Sequence, residues 1–586
     1  MKREAKRAPR VPAPAPPPAP MELPAAGHAA VLGAAFVALM AWTWGTWPDV
    51  LVDFGRELYI PWQITEGKRL YLDLAWFNGP LSPYWNALMF SLFGVGLRTL
   101  VLVNAVLFAV ILVLLHSLLR SIGSRTSATI ACLLVMATCG FGQLVGIGNY
   151  NYIAPYSHEI THGLLLGLAS LLVLQRWSGG VREPLAAGIL VGLCFLTKPE
   201  MFLAALAASV VMIVLRRIGA AGAGLFALGL VLPVLIAAGL LGQGALGAWP
   251  ALFATDVAAN PFYRIGSGLD APGANLSKMI WWAAATVGLL LPAFLLGLTT
   301  RSPRRPRVSA AIAFAIMAVI VAVLYTRIPW TLAARPWPLL CLGALVAAFL
   351  WRPRGAAAVG FAVFSLGLLG KMLLNARLFH YGFVLAMPAL ALLTVAMYDW
   401  IPRWIAHRGG TAAVARAGLL PVMLAFALAH LTATSGQLAA KREQVGAGSD
   451  AFKADGRGQA VNAALDWIAA QPGRPTVLVL PEGVTINYLA RSENPTPFVN
   501  FMPPELMLFG EARMLEALER RPPDVVVITH KPTHEYGFPW FGRSYARGLG
   551  TWLEKNYRLV QIFGDPPLQP TSRFGIAVLV RNAEQP

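Results

Sequence analysis

Charge is what this chain has least of. Asp, Glu, Lys and Arg make up 13% of its 586 residues, about half the share found in soluble domains. Hydrophobic residues make up 57%, and the mean hydropathy is +0.60. That excludes a soluble globule and implies a polytopic membrane protein. Acid is scarcer than base, 28 residues against 47, for a formal charge of +19. The excess does not read as a nucleic-acid surface, because it falls in short segments between apolar runs: RSPRRPR (Arg301 to Arg307), Arg216-Arg217 and WRPRG. Such clustering marks cytoplasmic loops, so no nucleic-acid partner is expected. Cysteine is nearly missing. Cys132, Cys139, Cys194 and Cys341 all lie in apolar runs without CxxC spacing and read as small packing residues. The phosphate-cradling pattern GxxxxGK[ST] is absent, so nothing advertises a P-loop nucleotide site.

What the chain does have is long apolar runs. The first, AAVLGAAFVALMAWTWGTW (Ala29 to Trp47), is long enough to cross a bilayer and follows the basic, Pro-rich tail MKREAKRAPRVPAPAPPPAP. It reads as an uncleaved span with the amino terminus in the cytoplasm, and residues 1–27 as a disordered tail. Alternating apolar runs with basic loops gives about thirteen spans over 28–436, near 28–47, 99–119, 126–146, 160–176, 184–197, 200–215, 219–241, 279–298, 308–325, 337–351, 355–370, 382–398 and 412–433. An odd count puts the carboxyl end outside. Residues 437–586 change texture: strand-like TVLVL, DVVVIT and FGIAVLV alternate with helix-like stretches, predicting an extracytoplasmic α/β domain.

This topology collects the unusual polar residues on the outer face. The first loop, 48–98, carries Asp53, Arg56, Glu57, Lys68, Arg69 and Asp73. NYNYIAPYSHEITH (Asn149 to His162), TKPE (Thr197 to Glu200), ATDVAANPFYRIGSGLD (Ala254 to Asp270), TRIPWTLAARP (Thr326 to Pro336) and KMLLNARLFHYG (Lys371 to Gly382) follow. Ionisable groups at membrane depth are expensive and usually functional. Lys198 is the sharpest, because apolar residues flank it on both sides; snorkelling to the interface is its bland alternative. Carboxylates, cations and aromatics around such a cavity suit one task. Cations hold a lipid-linked phosphate as it leaves, and a carboxylate takes the proton of an incoming hydroxyl. Asp53 is the first candidate base, with Glu57 beside it. Lys198, Arg377 and His380 are the candidate phosphate ligands, and Arg264, Arg327 and Arg335 are unranked alternatives.

His158-Glu159-Ile160-Thr161-His162 fits HExxH, in which two His one helical turn apart bind zinc beside a general-base Glu. An intramembrane protease would also need a metal-binding Asp in another span. The nearest candidate, Leu269-Asp270-Ala271-Pro272, lies in a polar loop. Divalent-metal binding at His158 and His162 in another role stays open.

The first-loop pattern is also familiar as a whole: an Asp after the first span, then G-K-x-L-Y-x-D, G-P-L-x-P, LFG and an Arg before the second span. The residues are Asp53, Gly67, Leu70, Tyr71, Asp73, Gly79, Pro80, Pro83, Phe93, Gly94 and Arg98. It resembles the GT-C glycosyltransferases of the protein-mannosyltransferase, aminoarabinose-transferase and Rgt-like groups, over about residues 28 to 400. The turn Thr197 to Glu200 resembles the Lys-containing turn after their fifth span. The resemblance implies an essential first-loop acid at Asp53, a polyprenyl-phosphate sugar as donor, inversion at the anomeric carbon, and an acceptor that is a glycan, lipid or protein. It also implies a bacterial inner-membrane location. The chain lacks the adjacent Asp-Glu pair of the mannosyltransferases, since Glu57 comes one helical turn later, so one or two carboxylates could take part. The competing class is a transporter or flippase of a lipid-linked glycan, but internal repeats expected of a transporter are not seen.

Overall fold

A computed structural model describes residues 24–249, 261–301, 303–351 and 355–582. The expected disordered tail lies, up to residue 23, outside the described residues, as do residues 254–260 of the outer-face segment Ala254 to Asp270. Among the described residues up to Ala439, the regular elements are helices. Eight of these described helices are long and apolar enough to cross a membrane: Ala25–Trp42, Leu97–Ile122, Ala220–Gly247, Arg264–Thr299, Pro306–Leu324, Gly355–Met372, Gly382–His407 and Ala412–Ala439. Their outer faces present bare hydrocarbon, as at Leu235, Leu240, Val319 and Val323. Only lipid makes such exposure favourable.

Three further apolar helices, Arg125–Gly140, Pro199–Leu215 and Trp337–Leu350, are shorter. Arg182–Phe195 has 14 residues, a rise of about 21 Å against a hydrocarbon core of about 30 Å. The physical difference from the expected count of thirteen is therefore one of length. Helices stand at the expected places, but several are too short to span unaided. The expected first loop is itself structured, with α1 (Phe54–Thr65) and α2 (Leu81–Phe93) joined by an irregular stretch. All four cysteines are buried and free.

Every strand among the described residues lies after the last long helix, which ends at Ala439. β1 (Glu443–Val445) and β2 (Phe452–Ala454) form an antiparallel pair. A four-stranded sheet follows, made of β3 (Val477–Leu480), β4 (Val525–Thr529), β5 (Tyr557–Gly564) and β6 (Gly575–Arg581), in the order β3-β4-β6-β5. β3 and β4 run parallel, and the other pairs are antiparallel. Val477–Leu480 and the valines and isoleucine of Val525–Thr529 form unbroken apolar runs because these strands are buried on both faces.

The sheet segment is bound to the first loop by polar ties. Arg457 meets Asp49 at 2.7 Å, Lys68 meets Glu493 at 2.7 Å, and the Ala75 N–H donates to the Pro497 carbonyl at 2.9 Å. Gly55 marks the closest approach, since a Cβ there would lie 2.3 Å from Thr485 Oγ1 and 2.4 Å from its backbone nitrogen. No other residue fits at that contact.

Candidate active site

Asp53 is set by its neighbours rather than by its own helix. Asp49 accepts the N–H groups of Leu51 and Val52 through one oxygen, at 3.0 and 2.9 Å, fixing the turn that leads to α1. Asp53 then adopts φ 59° and ψ −50°. For a residue with a Cβ this conformation costs about 1–3 kcal/mol and persists only where the surroundings enforce it. Here the Asp53 N–H donates to Glu482 Oε1 at 2.9 Å. Its carboxylate faces the Arg56 guanidinium at 3.4 Å, one turn along α1, and Arg56 also donates to the Tyr156 carbonyl at 3.3 Å.

The opposing wall is cationic. Thr197-Lys198 is the turn between helix Arg182–Phe195 and α3 (Pro199–Leu215), with Lys198 at its N-cap. The first loop rests directly on that turn. The Gly79 N–H donates to the Thr197 carbonyl at 2.8 Å, the Leu81 N–H to the Leu196 carbonyl at 3.0 Å, and a Cβ on Gly79 would lie 2.1 Å from Leu196 O. The G-P-L element is therefore a docking surface for the lysine turn. Lys198 is 7% exposed, and its ammonium reaches Ser157 Oγ at 3.4 Å and Glu200 at 4.0 Å. Glu200 has a closer counter-ion in Lys371, at 2.6 Å. Both ammonium groups approach the Tyr381 ring, Lys371 at 3.9 Å and Lys198 at 5.6 Å from its centroid.

Arg377 donates to His380 Nδ1 at 3.1 Å, and the His380 ring stacks on Tyr156. Burial, with Arg377, Lys371, Lys198 and Lys531 around it, pushes His380 well below the ordinary imidazole range. With Nδ1 occupied as an acceptor and the ring neutral, the proton sits on Nε2 and the side chain carries no charge.

Asp53, Arg56, Lys198, Glu200, Lys371, Arg377 and His380 line one cavity of about 960 Å³. Tyr150, Tyr156 and Tyr381 supply aromatic walls, and Arg264 also reaches it. The strand-bearing segment closes the other side with Glu482, Asn500, Glu505, Lys531 and Tyr536. Five sequence candidates, Asp53, Lys198, Arg264, Arg377 and His380, thus share one space. Arg327 and Arg335 do not line it.

Glu57 does not line it either. Its carboxylate is 2% exposed, tucked behind Arg56 at 3.7 Å and 3.6 Å from His158 Nδ1. Burial first, and the neighbouring Glu159 second, push Glu57 well above the carboxylate range. It is placed to support Arg56, not to meet a substrate.

His158 and His162 also lie outside the cavity, on α4 (His158–Gln175), a helix preceding α3 in the chain. His158 is held between the amides of Asn86 and Asn104, the latter at 3.2 Å, and His162 Nδ1 pairs with Ser82 Oγ at 2.8 Å. The Ser157 hydroxyl donates to Glu159 at 2.6 Å. Among the described residues no group of three or more His, Cys, Asp or Glu side chains is arranged to hold a metal ion. The HExxH spacing is present, but three of its four imidazole nitrogens are spent on side-chain hydrogen bonds; His162 Nε2 has no partner, and no third ligand stands beside it among the described residues. The helix start instead joins the two halves of the site, through His158 to Glu57 and through Ser157 to Lys198.

Residues 78–237 match the model of the dolichyl-phosphate-mannose-protein mannosyltransferase family. No curated protein sequence matches the chain. Among solved structures it is similar to ArnT from Cupriavidus metallidurans bound to undecaprenyl phosphate, with 13% identity, a TM-score of 0.50, and coverage of 95% of this chain and 98% of that one. It is also similar to the oligosaccharyltransferase of Archaeoglobus fulgidus tethered with an acceptor peptide, with 14% identity, a TM-score of 0.48, and coverage of 94% of this chain and 74% of that one. The chain is an integral membrane protein with the fold of the GT-C glycosyltransferases. The segment that matches the mannosyltransferase model begins at Asn78, so it spans the lysine turn but not Asp53.

Proposed function

We propose that the protein transfers a sugar from a polyprenyl-phosphate donor to an extracytoplasmic acceptor that is a glycan, lipid or protein. The observation that carries this reading is the cavity itself, with Asp53 on one wall and Lys198, Lys371, Arg377 and His380 on the other. An acceptor oxygen attacks the anomeric carbon and its proton passes to Asp53. The bond from that carbon to the phosphate oxygen breaks with its electron pair, and polyprenyl phosphate leaves toward the cations. Lys198 and Lys371 stabilise the charge that grows on the phosphate, Arg377 adds a planar fork of donors, and His380 adds one neutral N–H. Arg56 orients Asp53. Inversion follows from a single displacement.

The reading places the site on the outer face of a bacterial inner membrane, with about thirteen spans, the amino terminus inside, and the strand-bearing segment outside. Gly355–Met372 and Gly382–His407 are then mostly interior, while the six other long helices present most of their surface to lipid. The solved ArnT is bound to undecaprenyl phosphate, which makes that lipid the natural probe here. Purified protein, supplied with synthetic undecaprenyl-phosphate hexoses and pentoses and with envelope extract as acceptor source, should release undecaprenyl phosphate from at least one donor. Failure with every donor, by a protein that still binds undecaprenyl phosphate, would point to a transporter of lipid-linked glycans.

A further inference from the structure

The strand-bearing segment does more at this cavity than close it. In open α/β sheets, ligand sites gather at the carboxyl ends of parallel strands. Glu482 lies two residues after β3 and Lys531 two residues after β4, the parallel pair of the sheet. Both project to the cavity that holds Asp53. Glu482 is 4% exposed, and its two oxygens are divided between two tasks. Oε1 accepts the Asp53 N–H at 2.9 Å, and Oε2 faces the Lys531 ammonium at 3.8 Å. Its backbone is pinned as well, since Thr529 Oγ1 donates to the Glu482 carbonyl at 2.7 Å. A buried carboxylate held at both ends, and spent on the backbone of a residue with φ 59°, is an expensive arrangement for a mere lid.

The geometry points to Glu482 as a positioning residue for the base, so that the strand-bearing segment supplies an essential part of the catalytic centre. The inference rests on the glycosyltransferase reading. Three observations support it independently of that reading. The hydrogen bond goes to the very residue whose backbone conformation is unfavourable. Gly55, two residues on, presses directly against Thr485, three residues past Glu482, so the two backbones are locked in register. Asp49, which fixes the turn before Asp53, is itself held by Arg457 of the same segment. Freed from these ties, Asp53 relaxes to an ordinary conformation and its carboxylate swings away from the cation wall. A displacement of about 1 Å in a catalytic group costs on the order of 10²-fold in rate.

The test uses the full chain, the donor that wild type turns over, and undecaprenyl phosphate as the binding probe. Glu482→Ala should lower kcat about 10²-fold, leave the KM for donor and the affinity for undecaprenyl phosphate at wild-type values, and keep a cooperative melting transition. Glu482→Gln, which keeps an oxygen acceptor for the Asp53 N–H, should restore kcat to within a few-fold of wild type. Should the alanine variant fail to fold, Glu482→Asp decides. It keeps the charge opposite Lys531 but withdraws the acceptor by one methylene, and it should be slower than Glu482→Gln. Wild-type kcat in the alanine variant, or an active Glu482→Asp beside an inactive Glu482→Gln, overturns the positioning role. A wild type inactive on every donor overturns the glycosyltransferase reading, and this inference with it.

Discussion

Lys198 and Lys371 sit side by side and both face the proposed phosphate site, yet their removal should differ in its cost to the fold. Lys371 is the principal counter-ion of Glu200, at 2.6 Å, whereas Lys198 stands 4.0 Å from the same carboxylate and makes one long contact, 3.4 Å, to Ser157. In Lys198→Met the carboxylate keeps its near partner and the thioether fills the vacated space, so the fold loses little. The phosphate loses a charge-assisted hydrogen bond worth about 1.5–3 kcal/mol. That is about 10- to 150-fold in the dissociation constant of undecaprenyl phosphate, at 1.4 kcal/mol for each factor of ten. In Lys371→Met the buried carboxylate is left with a partner 4.0 Å away. Breaking a buried pair from one side costs about 3–5 kcal/mol, enough to lower the melting temperature by several degrees before any ligand is added. The assay is titration of each variant with undecaprenyl phosphate in detergent, beside a thermal melt. A Lys198→Met protein that binds with wild-type affinity would refute the phosphate role and leave the side chain as a snorkelling lysine. Equal melting temperatures for the two variants would refute the assignment of Lys371 to Glu200.

The other predictions concern the base, its platform and the ionisation of the cavity. Asp53→Asn should lower turnover by about 10²–10⁴-fold in a protein that still melts cooperatively, and near-normal turnover would remove Asp53 from the mechanism. Gly79→Ala would put a methyl group 2.1 Å from the Leu196 carbonyl and should break the two hydrogen bonds beneath it; loss of activity with weakened undecaprenyl phosphate binding is expected, and a wild-type melt would refute the docking role. Burial lifts the Glu505 carboxyl to about 7. Its folded-state value exceeds the unfolded one, so stability is greatest below about 4.5 and falls as pH rises through about 7. Glu505→Gln should flatten that slope in thermal melts between pH 5 and 8. Reporter fusions after Gln437 should give active alkaline phosphatase and dark green fluorescent protein, and the reverse would overturn the topology.

Asp53 and Lys198 were legible because each lies in a short local pattern whose oddity is visible without partners: an acid just past a span, and a lysine between apolar runs. Glu482 and Lys531 were not legible. Each follows an ordinary apolar strand, and their value comes from a fold that carries them to a residue more than 400 positions away. The only available signal was the placement of both at the ends of adjacent parallel strands, which needs the sheet order. Glu57 stands behind Arg56 and off the cavity wall, because adjacency along a helix says nothing about which face meets the cavity. The HExxH spacing correctly predicts two imidazoles near one another, 5.9 Å between ring centroids, but a metal is decided by the third ligand and by competing partners such as Ser82, Asn86 and Asn104. The first-loop pattern that carries the family resemblance turns out to be wiring. Lys68 binds Glu493, Asp73 takes the N–H and side chain of Arg69, and Gly79 seats the loop on the lysine turn.

The tie between Asp53 and Glu482 spans 429 positions of chain, and that distance sets a clock. At synthesis rates of about 5–20 residues per second, about 20–90 s separate the appearance of the base from that of the carboxylate that holds it. On the proposed topology, Lys198 and Lys371 would reach the outer face before the strand-bearing segment exists. A chain at that stage would hold its proposed phosphate ligands but not its positioned base. By the proposed mechanism, the order of residues delays catalytic competence until the last quarter of the protein has been made.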